Sequence, residues 1–367
     1  LEYRGYDSWG IAVKVESQSR KRDSIASLQN DRGKQSVKSI KVEKHVGKIG
    51  NSRLSIVDRP STIAIGHTRW ATHGGVTVAN AHPHLDCTGT IAVVHNGIVE
   101  NFQELKYELV KKGHKFISET DTEVVAHLIE QELVVRSLKE AVRKSFLALQ
   151  GLNAIVVMVG DLLIGAKSGS PLVVGIGRDE LFVASDAVGI LKHTNKVIFI
   201  EDGQMIVLGK NLGVIEIVSG KTIKPLIKTL DWKFEEAEKG NFKHFFLKEI
   251  YEQPRILENI ASNSHSQIQK MAEMIEDAFG TFFVACGSAS YAALAGTYLF
   301  SKLAKKHVNF AIGSEFNYLE DYIGCGTLVI PISQSGESVD VIQPVVRAKQ
   351  KGAKIAAIVN VLVSTLY

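Results

Sequence analysis

The sequence has little cysteine, little net charge and no long apolar run. Its three cysteines, Cys87, Cys286 and Cys325, are scattered along 367 residues. That pattern excludes a disulfide framework, shows no zinc-site spacing and favours a reducing, cytoplasmic compartment. The net charge is only +4, and no basic stripe interleaved with aromatics accompanies it, so nucleic acid is not expected as a partner. Apolar runs such as 154–160 are far too short to span a bilayer, so a membrane is not expected either. Solenoid-type internal repeats are absent. The chain opens on Leu1 without a signal-like segment and closes just after a strand-like run, 355–360. Both ends are expected to be cuts.

What remains is an ordinary globular composition, 45% hydrophobic and 22% charged, on a length that suits two or three domains. Residues 1 to about 228 alternate short strands with a few helices. Strands are expected at 10–15, 62–67, 90–95, 154–159, 171–175, 181–185, 196–200 and 205–208, where β-branched residues run between Gly, Asp and Ser. Helices are expected at 101–112, 122–133 and 137–148 from apolar residues on one face. This mixture predicts an α+β layered domain. The stretch 16–44 is rich in Ser, Lys, Arg, Asp and Gln and is expected to be a long polar excursion. A charged stretch near 231–243 is expected to connect domains, followed by a helix from about Arg255 to Ser262. From Phe282 the pattern becomes strand, Ser-rich turn, helix, repeated, with a further strand from Lys354. That alternation predicts a parallel, doubly wound sheet.

Two groups of residues carry chemistry. The run Gly66-His67-Thr68-Arg69-Trp70-Ala71-Thr72-His73-Gly74 follows an apolar strand, and so does His95-Asn96-Gly97. Thr120-Asp121-Thr122-Glu123 comes later. A planar guanidinium, Arg69, suits an α-carboxylate, and a carboxylate, Asp121, suits an α-ammonium. An amide side chain beside a glycine backbone, Asn96 and Gly97, suits a developing oxyanion. Together they can hold an amino acid by both charged ends and support cleavage of a carboxamide. Each also has a plainer reading: Arg69 as a surface ion pair, Asn96-Gly97 as a hairpin turn, Asp121 as a helix cap. His67 and His95 are expected to be structural, and the histidines do not form a metal set.

The second group is Cys286-Gly287-Ser288 and Ser333-Gln334-Ser335-Gly336-Glu337-Ser338, each between a strand and a helix. Helix starts present outward N–H groups and a favourable dipole, so these turns suit a phosphomonoester. The plainer reading is that Ser335 merely caps its helix.

These motifs, with Leu1-Glu2-Tyr3-Arg4-Gly5-Tyr6-Asp7-Ser8 and Lys248-Glu249-Ile250-Tyr251-Glu252-Gln253-Pro254, resemble the glutamine–fructose-6-phosphate aminotransferase family over essentially the whole chain. The resemblance implies a class II glutamine amidotransferase domain of N-terminal-nucleophile fold, two antiparallel sheets between helix layers, at 1–228. A linker follows at 229–248, then a first, incomplete SIS sugar isomerase domain at 249–367, with the second SIS domain absent. It implies glutamine binding by Arg69, Thr72, His73 and Asp121, an oxyanion hole at Asn96 and Gly97, and an ammonia gate at Trp70. It implies sugar-phosphate binding by Cys286, Gly287, Ser288, Ser333, Gln334, Ser335 and Ser338. Ala289 stands where the family usually has Ser. The implied partners are L-glutamine, D-fructose 6-phosphate and a second copy of the chain, without cofactor or metal. The family's nucleophile is an N-terminal cysteine, and position 1 here is Leu. The chain as written is therefore expected not to hydrolyse glutamine. The alternative is a non-catalytic, regulatory sugar-phosphate-binding protein of the same fold.

Overall fold

The computed structural model describes residues 6–15, 39–50, 56, 61–209, 211–230, 240–361 and 364–366. The chain divides into two compact units, Leu1–Glu236 and Ala237–Tyr367.

The first unit opens with β1 (Ser8–Val15), β2 (Ser39–Val46), β3 (Ala64–Arg69), β4 (His84–Leu85) and β5 (Ile91–Gly97). Three helices follow, α1 (Phe102–Lys111), α2 (Glu123–Leu133) and α3 (Leu138–Leu147). Then come β6 (Asn153–Val159), β7 (Leu162–Ser168), β8 (Val173–Ile176), β9 (Leu181–Ala184), β10 (Lys196–Phe199) and β11 (Gln204–Leu208). The unit finishes with β12 (Leu212–Glu216), β13 (Thr222–Ile223) and β14 (Lys228–Thr229). Seven strands form one antiparallel sheet in the order β13-β12-β11-β7-β6-β5-β4, and two smaller sheets run β2-β1-β3 and β14-β10-β8-β9.

Alternation along β5 and β6 explains the layering. Ile91, Val93, Ile155 and Val157 point to one face and pack with Leu109, Val124, Ile129 and Phe146 of the helices. Ala92, Val94, Val156 and Met158 point to the other face and pack with Ala12, Ile65, Val174 and Ile198 of the smaller sheets. A period of two thus feeds two cores, and burying each large side chain contributes about 1.5–3 kcal/mol. The described helices α1, α2 and α3 all cover the same face of the large sheet.

One expectation needs correction here. Residues 39–44, the end of the stretch assigned to the polar excursion, belong to β2, with Val42 opposite Ala12 and Ile40 opposite Lys14. Polar residues tolerate a strand position when alternate side chains face solvent and one neighbour supplies the ladder. Residues 16–38 and 231–239 lie outside the described residues.

The second unit holds α4 (Phe245–Asn263), α5 (His265–Asp277), β15 (Gly280–Ala285), α6 (Ser288–Leu299), β16 (Asn309–Ile312), β17 (Thr327–Ser333), α7 (Val339–Gln350), β18 (Lys354–Ile355) and β19 (Ile358–Val359). The helix expected from Arg255 begins ten residues earlier, at Phe245, and carries Pro254 inside it. A proline removes one donor and bends a helix but does not force it to end where flanking turns pack. All sheet pairs here are parallel, in the order β16-β15-β17-β18, with β19 also on β17. The doubly wound expectation holds, although β16 was not anticipated. Among the described residues no helix is long and apolar enough to cross a membrane.

Candidate functional site

In the first unit the ends of β3 and β5 and the start of α2 converge on one cavity. It measures about 280 Å³, and its walls include Arg69, Trp70, Thr72, Asn96, Gly97 and Asp121. Three segments far apart in sequence therefore meet as the motifs suggested. The cavity is held in shape by buried hydrogen bonds rather than by loop packing.

Asn96 and His67 are the clearest case. Their Oδ1 and Nε2 atoms lie 2.9 Å apart. Burial pushes the His67 pKa down to about 4, against a raising contribution from Asn96, so the ring is neutral at pH 7. A neutral ring that donates through Nε2 makes Asn96 Oδ1 the acceptor, so the amide nitrogen is not spent on His67. The unpartnered, buried Nδ1 of His67 then carries only a lone pair, consistent with this tautomer.

Gly97 follows at φ 123°, and a Cβ there would stand 2.0 Å from the Leu152 carbonyl oxygen. Only glycine fits this approach. The hairpin reading of Asn96-Gly97 fails, because β5 leads into α1 rather than a partner strand.

Asp121 is 3% exposed, and its Oδ2 accepts the Val99 N–H at 2.8 Å. The expected cap role does not hold: the N-cap of α2 is Thr122, whose side chain makes no capping bond. One carboxylate oxygen is thereby anchored to the chain that follows Gly97. His95 braces the same corner, with Nδ1 2.9 Å from Thr122 Oγ1 and Nε2 2.9 Å from Asn153 Oδ1. Burial lowers the His95 pKa although Asp121 and Asn153 oppose it. Both histidines expected to be structural are thus engaged inside the protein.

Arg69 is 4% exposed and donates to the carbonyls of His73, Gly74 and Gly75 at 2.6, 3.3 and 3.2 Å. Its charge borders the cavity while its Nη groups pin the following turn. Asn80 reinforces that turn by donating to the Gly75 carbonyl at 2.9 Å. Asp7 adds a tie from the chain start, accepting the Ala71 N–H through Oδ2 at 2.5 Å. Trp70 stands 73% exposed at the rim. His73 does not line the cavity; its ring packs edge-on against Phe102 at 5.0 Å. Sequence reasoning missed His82, which lines the cavity and stacks on His67 at 4.3 Å. Burial pushes its pKa well down, with His67 and His84 adding to the effect. The local signal was the dense Asn80-Ala81-His82-Pro83-His84 run.

In the second unit the two Ser-rich turns sit at the carboxyl ends of adjacent parallel strands, since Ala285 of β15 pairs with Ile332 of β17. Gly287 takes φ 60° at the N-cap of α6. Ser333 Oγ accepts the Gly336 N–H at 3.0 Å, and Ser335 Oγ accepts the Glu337 N–H at 3.1 Å. The cap of α7 is Ser338, not Ser335, and Ser338 makes no side-chain capping bond. Ser335 therefore shapes the turn, and the α7 start keeps N–H groups to offer an anion. A hollow of about 500 Å³ lies elsewhere, between the C-terminal part of α6 and the residues after it, with Lys305, Lys306 and His307 on its wall. It is remote in sequence from both motif turns and touches none of the residues the motifs single out.

Residues 59–205 match the family model described as a glutamine amidotransferase domain, and residues 274–367 match the SIS domain. Over 370 residues the chain is 43% identical to the glutamine–fructose-6-phosphate aminotransferase [isomerizing] of Thermococcus kodakarensis, covering 99% of this chain and 58% of the relative. The enzyme of the same name from Thermus thermophilus is 40% identical over 375 residues, covering 100% of this chain and 58% of the relative. The chain thus spans 58% of the length of these curated relatives. Among solved structures, one titled as the allosteric regulatory enzyme of purine biosynthesis superposes with a TM-score of 0.51 at 18% identity, covering 98% of this chain and 76% of that one. At that identity the likeness concerns fold alone. The chain carries a glutamine amidotransferase domain of N-terminal-nucleophile fold followed by a SIS domain, and it resembles these aminotransferases over nearly its whole length.

Proposed function

We propose that this chain supplies the glutamine-hydrolysing domain and the first sugar-phosphate domain of a glutamine–fructose-6-phosphate aminotransferase. The whole enzyme would convert L-glutamine and D-fructose 6-phosphate to L-glutamate and D-glucosamine 6-phosphate, the entry into amino-sugar synthesis. The observation that supports this reading is Asn96, held by His67 and set in one cavity with Gly97, Asp121 and Arg69.

In this reading the Asp121 carboxylate holds the α-ammonium of glutamine, and Arg69 provides the positive field for the α-carboxylate. Thr72, on the cavity wall, completes the grip, and Trp70 gates the ammonia. As the side-chain amide carbon becomes tetrahedral, its oxygen gathers charge. Asn96 Nδ2 and the Gly97 backbone stabilise that charge without moving, which is where such sites gain most of their rate. Ammonia then reaches a sugar phosphate bound by Cys286, Gly287, Ser288, Ser333, Gln334, Ser335 and Ser338. The turns carry no cation, so they bind the phosphate through hydroxyl and N–H donors. The reaction needs no cofactor. The enzyme would act as a homodimer in the cytoplasm, in keeping with three scattered cysteines.

Amide-¹⁵N glutamine given to the whole gene product with fructose 6-phosphate tests this. Labelled glucosamine 6-phosphate is the expected product. Glutamate release without labelled amino sugar would remove the transfer, and binding of fructose 6-phosphate without glutamate release would leave only a binding protein.

A further inference from the structure

Outside the cavity, four side chains from three segments converge. Cys87 lies in the turn between β4 and β5, His114 in the connection from α1 to α2, and His127 and Glu130 on α2. His127 and Glu130 are three residues apart and so share a helix face. One donor atom from each of the four lies within 4.8 Å of the others. Cys87 Sγ is 3.8 Å from His114 Nδ1 and 3.5 Å from His127 Nδ1. Glu130 Oε2 is 2.9 Å from His114 Nδ1 and 3.3 Å from His127 Nδ1.

We propose that Cys87, His114, His127 and Glu130 form a tetrahedral binding site for a divalent, borderline-soft cation of the zinc class. Ligands at about 2.3 Å for sulfur and about 2.0–2.1 Å for nitrogen stand about 3.5 Å apart for S···N and about 3.3 Å for N···O in a tetrahedron. The His127 separations, 3.5 Å to sulfur and 3.3 Å to the carboxylate, match these, whereas the His114 separations, 3.8 and 2.9 Å, require a small shift of that ring.

The outer contacts point the same way. His114 Nε2 is 3.3 Å from Gln131 Oε1, and His127 Nε2 is 3.6 Å from Glu123 Oε1. His114 Nε2 thus has an acceptor in Gln131, whereas His127 Nε2 stays beyond hydrogen-bond reach of Glu123, and both Nδ1 atoms face Glu130 and Cys87. Histidine ligands held from behind by a carboxylate or carbonyl oxygen are the usual outer arrangement of a metal site. The Lys115 N–H points to Cys87 Sγ at 3.4 Å, although burial and the nearby Glu130 push the thiol pKa up in the metal-free protein. Charge also balances: one thiolate and one carboxylate neutralise a dication, which suits a group this close to the core.

Four protein ligands leave no open position, so the metal would be structural. It would join the β4–β5 turn, the α1–α2 connection and α2. Glu123, behind His127, accepts the N–H groups of Ile117 and Ser118 at 2.8 and 2.7 Å. The clip thus backs the segment that leads to Asp121. Cys87 is exposed, which provides an entry path. Binding displaces the thiol proton to solvent, and affinity falls as pH is lowered.

The test uses the full chain as purified, then stripped with a chelator and titrated with Co²⁺ alone and with Zn²⁺ alone. The expected result is one metal per chain by elemental analysis, a sulfur-to-cobalt charge-transfer band with tetrahedral d–d bands, and a lower melting temperature after stripping. Cys87→Ser should weaken uptake by on the order of 100-fold or more and abolish the charge-transfer band. Because His127 is deeply buried, Glu130→Gln serves as the second variant, with circular dichroism confirming its fold. Absence of stoichiometric metal, or uptake by Cys87→Ser equal to that of the parent, would overturn the assignment.

Discussion

In the proposed reading the two units would solve opposite recognition problems with opposite materials. In the first, the cavity is walled by charged and amide side chains, each fixed by a buried partner: Asn96 by His67, Asp121 by the Val99 N–H, Arg69 by the turn at 73–75. In the second, the turns carry hydroxyls and backbone N–H groups, with Ser335 Oγ and Ser333 Oγ spent on shaping the loop itself. A zwitterion has two compact charges a few bonds apart, so discrimination calls for fixed counter-charges. A phosphomonoester spreads its charge over several oxygens, so a ring of neutral donors at a helix start suffices.

That contrast can be broken most decisively at Asn96. In the whole enzyme Asn96→Ala is expected to lower the glutaminase kcat by about 10²–10³-fold, the usual effect of removing an oxyanion donor. Steady-state kinetics showing a near-normal kcat would remove the role. The buried histidines give the next effect. Burial lowers the folded pKa of His67 to about 4, below the ordinary imidazole value of 6.5, so the unfolded chain binds more protons between these values. Stability from this group is complete above about pH 6.5 and is lost as pH falls through about 4, amounting to about 3 kcal/mol. Hydrogen exchange across that range should show the first unit loosening while the second stays protected, and His67→Gln should flatten the slope. A parallel loss in both units would erase the contrast.

Asp121→Ala should raise the glutamine KM by tens of fold, on the scale of about 2–3 kcal/mol for a lost charge-assisted contact. An unchanged KM would refute the assigned grip. Ser335→Ala should be mildest: fructose 6-phosphate binding weaker by about tenfold, for about one net hydrogen bond, with glutamine hydrolysis intact. Calorimetry on the variant reads this, and equal damage to both activities would mean a folding defect.

Much of this was legible in the sequence, for identifiable reasons. Three strands of the large sheet, β5, β6 and β11, announce themselves because alternate residues feed two different cores, whereas β4, β7, β12 and β13 were not anticipated. Arg69, Asn96 and Asp121 stand out because each closes a strand or opens a helix with an unusual side chain. What stayed hidden depended on pairing across distance. β2 is polar enough to pass for loop, and only its partner β1 makes it a strand. His82 enters the cavity wall through stacking on His67, which no spacing reveals. His73 belongs to the right motif but turns toward Phe102. The cluster around Cys87 draws its members from three segments, so cysteine counting alone could not find it.

The pairing of β5 with β6 has one further consequence. Ile91 lies opposite Val159 and Gly97 opposite Asn153, with all three helices made in between. During synthesis, the amide-binding corner therefore stays open until β6 has left the ribosome, because His95 waits for Asn153 and Gly97 waits for Leu152. A nascent chain stalled before that point would expose an apolar strand edge, a state that chaperones recognise.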